Sequence, residues 1–122
     1  MYFPITDWLP AFALTLTIEA PIAVAGLRGF DRDIARLLIV VLFANLATHL
    51  AVWYVITQLL MVGTWQYLLA AEAWAIAAEA LMYWAAFGGV RLTRAVAVAA
   101  AANLASFAAG RALGAIWPQV FG

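Results

Sequence analysis

The chain has 122 residues, is 69% hydrophobic and 10% charged, and has no Cys and zero formal net charge. An ordinary soluble domain is about 45–50% apolar and roughly 25% charged, so a soluble globule of this size could not hide so much apolar surface. The lack of a basic stripe excludes a nucleic-acid partner, and the lack of Cys excludes disulfides, thiolate metal sites and Cys nucleophiles.

These properties predict an all-α integral membrane protein in a lipid bilayer, with one transmembrane domain over 1–122. Residues 1–7 form a short head without the positive region of a secretory signal, so the first apolar run reads as a mature helix. That run, 9–27, is long enough to cross about 30 Å of hydrocarbon at 1.5 Å per residue. Pro10 falls in its first turn, where a missing N–H costs little. Glu19 and Pro21 interrupt it, and Pro21 frees the carbonyl of Thr17, which predicts a kink. Residues 28–36 form a charged turn in which Asp31 or Asp33 caps the next helix.

The second span is 37–56, closed by Trp53 and Tyr54. An uncharged turn over 57–64 contains Gly63. The third span, 65–87, breaks at Gly88-Gly89. The fourth, 95–116, ends at Trp117-Pro118. Its many Ala and its Gly110-xxx-Gly114 pattern allow close approach of a neighbouring helix.

All six basic residues are Arg, and five lie in the first and third turns or beside them. The positive-inside rule then puts those turns in the cytoplasm and both termini outside. Trp8, Trp53, Tyr54, Trp65, Tyr67 and Trp117 fall at the outer interface, and Tyr83 and Trp84 near the inner one. Trp74 fits neither belt. The Ala-rich, Lys-free composition points to a bacterial inner membrane.

One stretch occurs twice: Ala44-Asn45-Leu46-Ala47-Thr48 and Ala102-Asn103-Leu104-Ala105-Ser106. An Arg stands nine residues before each Asn (Arg36 and Arg94), and a Glu-Ala pair precedes each copy (Glu19-Ala20 and Glu79-Ala80). This pattern predicts an internal duplication. A two-helix hairpin (about 7–57, then about 65–116) would repeat to give a pseudo-twofold four-helix bundle.

Glu19, Asn45, Glu79 and Asn103 each come out near the centre of their span, which predicts a shared cation- or proton-binding site. A charge at the bilayer centre costs at least about 2.5–3.5 kcal/mol, so such residues face the bundle interior and find partners. Thr48 and Ser106 occupy matching positions, and His49 lies one turn outward from Asn45. Glu19, His49 and Glu79 are the candidate ligands for a divalent metal ion, since carboxylates suit hard cations and an imidazole admits transition metals. The competing reading makes the Glu and Asn residues polar glue between helices. Glu72 and Arg111 share a depth, so a structural ion pair between them is expected. The outer layer departs from the repeat: His49 corresponds to Phe107, Arg111 to Trp53 and Glu72 to Phe12. A site with one entrance, on the outer side, would use that asymmetry.

The leading functional expectation is a small membrane protein that binds or transports a cation, either a metal ion or a proton-coupled solute, as a homodimer or complex subunit. The alternatives are a non-catalytic accessory or assembly subunit of a larger membrane complex and, third, an intramembrane metal-dependent enzyme. A non-enzymatic role is favoured over a catalytic one, because no nucleophile or oxyanion pattern is present.

Overall fold

The computed structural model describes residues 5–118, with side chains from Trp8 onward. Among these residues the chain forms four long helices: α1 (Ile5–Leu27), α2 (Ile34–Leu59), α3 (Trp65–Ala86) and α4 (Leu92–Ile116). All four are long and apolar enough to cross a membrane. Of the head expected over 1–7, residues 1–4 lie outside the described residues, and 5–7 open α1. Each helix packs against its neighbours in sequence, and α4 closes the ring against α1. The charged residues 28–33 and the Arg91 region lie at one end of this bundle, and residues 60–64 lie at the other.

Several boundaries move outward from the sequence reading. Helix α1 continues through both Pro10 and Pro21. Helix α2 starts at Ile34 because Asp33 caps it, accepting from the Arg36 amide at 3.3 Å, while Asp31 accepts from the Asp33 amide at 2.9 Å. Its last turns widen into π-helical geometry over Val52–Ile56 before one more turn to Leu59. Thr64 caps α3 by accepting from the Tyr67 amide at 3.3 Å. Gly63 and Gly89 take φ of 90° and 82° in the second and third turns, a region that favours glycine.

The polarity of the bundle is reversed relative to a soluble protein. Leu42, Phe43, Leu69, Trp74 and Leu104 are exposed on its flanks, whereas Glu19, Asn45, Thr48, Glu79 and Asn103 are buried. The Arg-bearing half is filled by apolar side chains, among them Leu27, Leu37, Val41, Tyr83, Phe87 and Val98. Tyr83 is completely buried, because it lies one helical turn after Glu79 on the same inward face.

Two arginines tie the helix ends of this half together. Arg36 donates through Nη2 to the carbonyl of Ala86 at 3.1 Å, and Arg94 through Nε to the carbonyl of Gly26 at 3.3 Å. Both acceptors are last-turn carbonyls, which lack intrahelical partners and carry the negative end of the helix dipole.

Helices α1 and α4 meet closely at Gly26. A Cβ placed there would sit 2.5 Å from one Val98 methyl carbon and 3.1 Å from the other. Val98 is β-branched and stiff at χ1, so Gly26→Ala is expected to cost about 1–3 kcal/mol by overpacking. The check is the unfolding midpoint in detergent. Adding Val98→Ala to Gly26→Ala should recover most of the loss, and no recovery would place the strain elsewhere.

Candidate functional site

The polar residues that recur in the sequence, Glu19, Asn45, Glu79 and Asn103, converge at mid-height. Glu19 is 0% exposed and Glu79 is 1% exposed. Ser106 on α4 donates to Glu19 Oε1 at 2.6 Å, and Thr48 on α2 donates to Glu79 Oε1 at 2.9 Å. These contacts cross between the two copies: the hydroxyl of each copy serves the carboxyl group of the other. The Arg36–Ala86 and Arg94–Gly26 contacts cross in the same sense at corresponding positions. Asn103 donates through Nδ2 to Glu79 Oε2 at 2.5 Å, and to its own helix at the Ala99 carbonyl at 2.8 Å. Asn45 donates to the Val41 carbonyl at 3.0 Å, and its Oδ1 is buried with no hydrogen-bond partner.

The two carboxyl groups are therefore unequal. Both oxygens of Glu79 accept hydrogen bonds. Glu19 accepts from Ser106 through Oε1, and its buried Oε2 has no hydrogen-bond partner, with the Asn45 side chain near enough to influence the carboxyl group. An unpaired buried oxygen is costly, by about 1–3 kcal/mol, so it marks a position where a further donor or cation would be stabilised.

A cavity of about 410 Å³ lies directly over Glu19 and reaches toward the end of the bundle opposite the Arg-bearing turns. Glu19, Thr48, Asn103 and Ser106 form its floor, with His49, Glu72 and Arg111 further out. Glu79 and Asn45 do not line it; they belong to the packed layer beneath. The cavity coincides with the layer where the two copies differ, since His49, Phe107, Trp53, Arg111 and Glu72 all face it. The π-helical turn begins at Val52 and includes Trp53, two of its lining residues, and such turns recur at functional sites.

His49 does not bond to either carboxylate. Its Nε2 lies 3.2 Å from Thr15 Oγ1, its ring meets Phe12 edge-on at 5.5 Å, and its Nδ1 is buried without a partner. Among the described residues no three His, Asp or Glu side chains gather closely enough to hold one metal ion, so Glu19, His49 and Glu79 are not assembled as a ligand set. The expected ion pair between Glu72 and Arg111 does not form. The ion pair recorded among the described residues joins Arg36 to Asp31 at 3.3 Å, and Glu72 Oε2 is buried without a hydrogen-bond partner.

Two contributors escaped the sequence reading. Thr15 stands one turn before Glu19 and Tyr83 one turn after Glu79, so an i±4 scan around each Glu would have found both. Tyr83 packs where both carboxylates influence it electrostatically, and its hydroxyl is buried without a partner. Compared with known proteins, the chain matches no family model, no curated sequence and no solved structure.

Proposed function

We propose that this chain is a multi-pass protein of a bacterial inner membrane that binds and moves a cation, most simply a solute exchanged for protons, through the cavity over Glu19. The observation that carries the reading is a fully buried Glu19, one carboxyl oxygen of which has no hydrogen-bond partner, in the lining of a cavity of about 410 Å³. A carboxyl group in that position has two ways to be satisfied: it holds a proton, or it holds a cation. Exchange of one for the other is the elementary step of proton-coupled transport. The layer beneath is packed by apolar side chains, as expected of a transporter closed on one side.

The crossed Thr48–Glu79 and Ser106–Glu19 contacts support an internal duplication with a pseudo-twofold axis along the bundle. Transporters built from such repeats place their sites at the midplane between them. A bound divalent metal ion is the narrower version of this reading. It would need His49 to swing toward Glu19.

The test is proton flux in proteoliposomes under an imposed pH gradient. Sodium, potassium, manganese, zinc and butylammonium ions serve as trial counter-cations. At least one should discharge the gradient with wild type, and none should with Glu19→Gln. If wild type passes no protons with any of them, the transport reading falls.

A second reading, as an accessory subunit or homodimer, is favoured by a shallow apolar groove of about 370 Å³ on the flank, lined by Ile39, Val40, Phe43, Met82, Ala85 and Ala86. That groove suits a neighbouring apolar helix or a lipid chain.

Orientation has its own test, because the chain has no Cys of its own. Gly63→Cys should react with an impermeant thiol reagent on intact cells, and Gly29→Cys should react only after lysis. The reverse pattern would put the cavity mouth in the cytoplasm.

A further inference from the structure

The cavity is lined by acidic and basic side chains that do not pair with each other. Glu19 Oε2 and Glu72 Oε2 are buried and unpartnered, and Arg111 lines the same cavity without an ion pair to either. From this we infer that the cargo is a small molecule bearing both an ammonium group and an acidic group, the first held at Glu19 in the field of Glu72 and the second by Arg111. This inference rests on the transport reading and names the class of solute.

A bare cation would settle at Glu19 but leave the Arg111 guanidinium as a like charge on the same wall. A bare anion would pair with Arg111 and leave two carboxylates facing it. A zwitterion gives every one of these groups an opposite charge. An ammonium has three N–H donors, enough for the Glu19 carboxyl group and the hydroxyls of the floor, with Glu72 adding a second negative charge further out. The guanidinium fork matches a carboxylate or phosphate in bidentate geometry.

Size and spacing agree. A volume of about 410 Å³ is at the low end of the roughly 300–1,000 Å³ range of small-molecule sites. Ser106, which holds Glu19, and Arg111 are five residues apart on α4, or about 7.5 Å along the axis at 1.5 Å per residue. With the long Arg111 side chain spanning that offset, the cavity admits an acid and an amine joined by a short methylene chain, and Trp53, Leu68 and Phe107 supply an apolar wall for the chain. The same chemistry exists in a free ω-amino acid and in the phosphoethanolamine head of a membrane lipid.

The experiment measures binding of γ-aminobutyrate, butylamine and butyrate to the purified protein in phosphatidylglycerol nanodiscs. Wild type should bind γ-aminobutyrate at least about tenfold more tightly than either single-charge analogue. Arg111→Gln should bring γ-aminobutyrate down to the level of butylamine, and Arg111→Lys should restore part of the difference. Glu72→Gln should weaken both amines while leaving butyrate unchanged. Displacement of γ-aminobutyrate by phosphatidylethanolamine added to the discs identifies the lipid head as the source, and no displacement identifies the free solute; either fits the inference. Equal binding of butylamine and γ-aminobutyrate, unaffected by Arg111→Gln, would overturn it while leaving a simple cation transporter in place. Failure of all three probes to bind, with counter-cation flux intact, would also overturn it. Failure of both binding and flux would remove the transport reading itself.

Discussion

Glu79→Leu is expected to destabilise the bundle by about 2–4 kcal/mol, whereas Glu79→Gln should stay within about 1 kcal/mol of wild type. Glu79 is 1% exposed and accepts from Thr48 on α2 and Asn103 on α4. It thereby joins three helices at one point. Leucine leaves one N–H of Asn103 without an acceptor in a dry interior; the other N–H keeps the Ala99 carbonyl. Glutamine has a consistent alternative. Its oxygen takes the Asn103 donor, and its amide donates to Thr48 Oγ1, whose own proton turns to the Asn45 carbonyl 3.2 Å away. Reversible unfolding in mixed micelles reads the difference. A leucine variant as stable as wild type would mean that the buried carboxyl group does not hold the helices together.

The second large effect separates function from folding. If the chain moves a cation as proposed, Glu19→Gln should bind that cation about 30-fold or more weakly, since removing one partner of a buried charge pair costs about 2–5 kcal/mol. Its stability should change by less than about 1 kcal/mol, because glutamine keeps an oxygen to accept from Ser106. The same conservative change is thus predicted to be mild at both Glu positions for stability and severe for binding at Glu19. Calorimetric titration with the most active counter-cation, beside an unfolding curve for the same preparation, measures both quantities. Unchanged affinity in a folded Glu19→Gln protein would assign the carboxyl group to packing.

Much of this arrangement is legible in the chain. Four apolar runs with punctuating turns mark the helices, because an isolated membrane segment must satisfy its backbone internally. The repeated Asn and the paired Glu mark the inward faces, because polar side chains in the middle of an apolar helix find partners only against other helices. Which hydroxyl serves which carboxyl group was not legible: repeat symmetry allows Thr48 to meet either Glu, and only the order of helices around the ring decides. The Glu72–Arg111 pair was misjudged for a related reason. Equal depth on two helices does not bring side chains together when a cavity lies between them. The π-helical turn at Val52–Ile56 has no residue signature at all. It arises in a run of Val, Trp, Tyr and Ile that reads as ordinary helix.

On the proposed reading, the cavity is entered from the end opposite the Arg-bearing turns and stops at Glu19. Four Ala→Cys variants of this Cys-free chain test it with nearly constant chemistry. Ala71 and Ala75 line the cavity, whereas Ala44 and Ala99 are buried in the packed half. A small, water-soluble, positively charged thiol reagent should modify Ala71→Cys and Ala75→Cys in folded protein and leave Ala44→Cys and Ala99→Cys intact until denaturant is added. Equal reactivity of all four, or inert cysteines at 71 and 75, would contradict a one-sided cavity ending at Glu19.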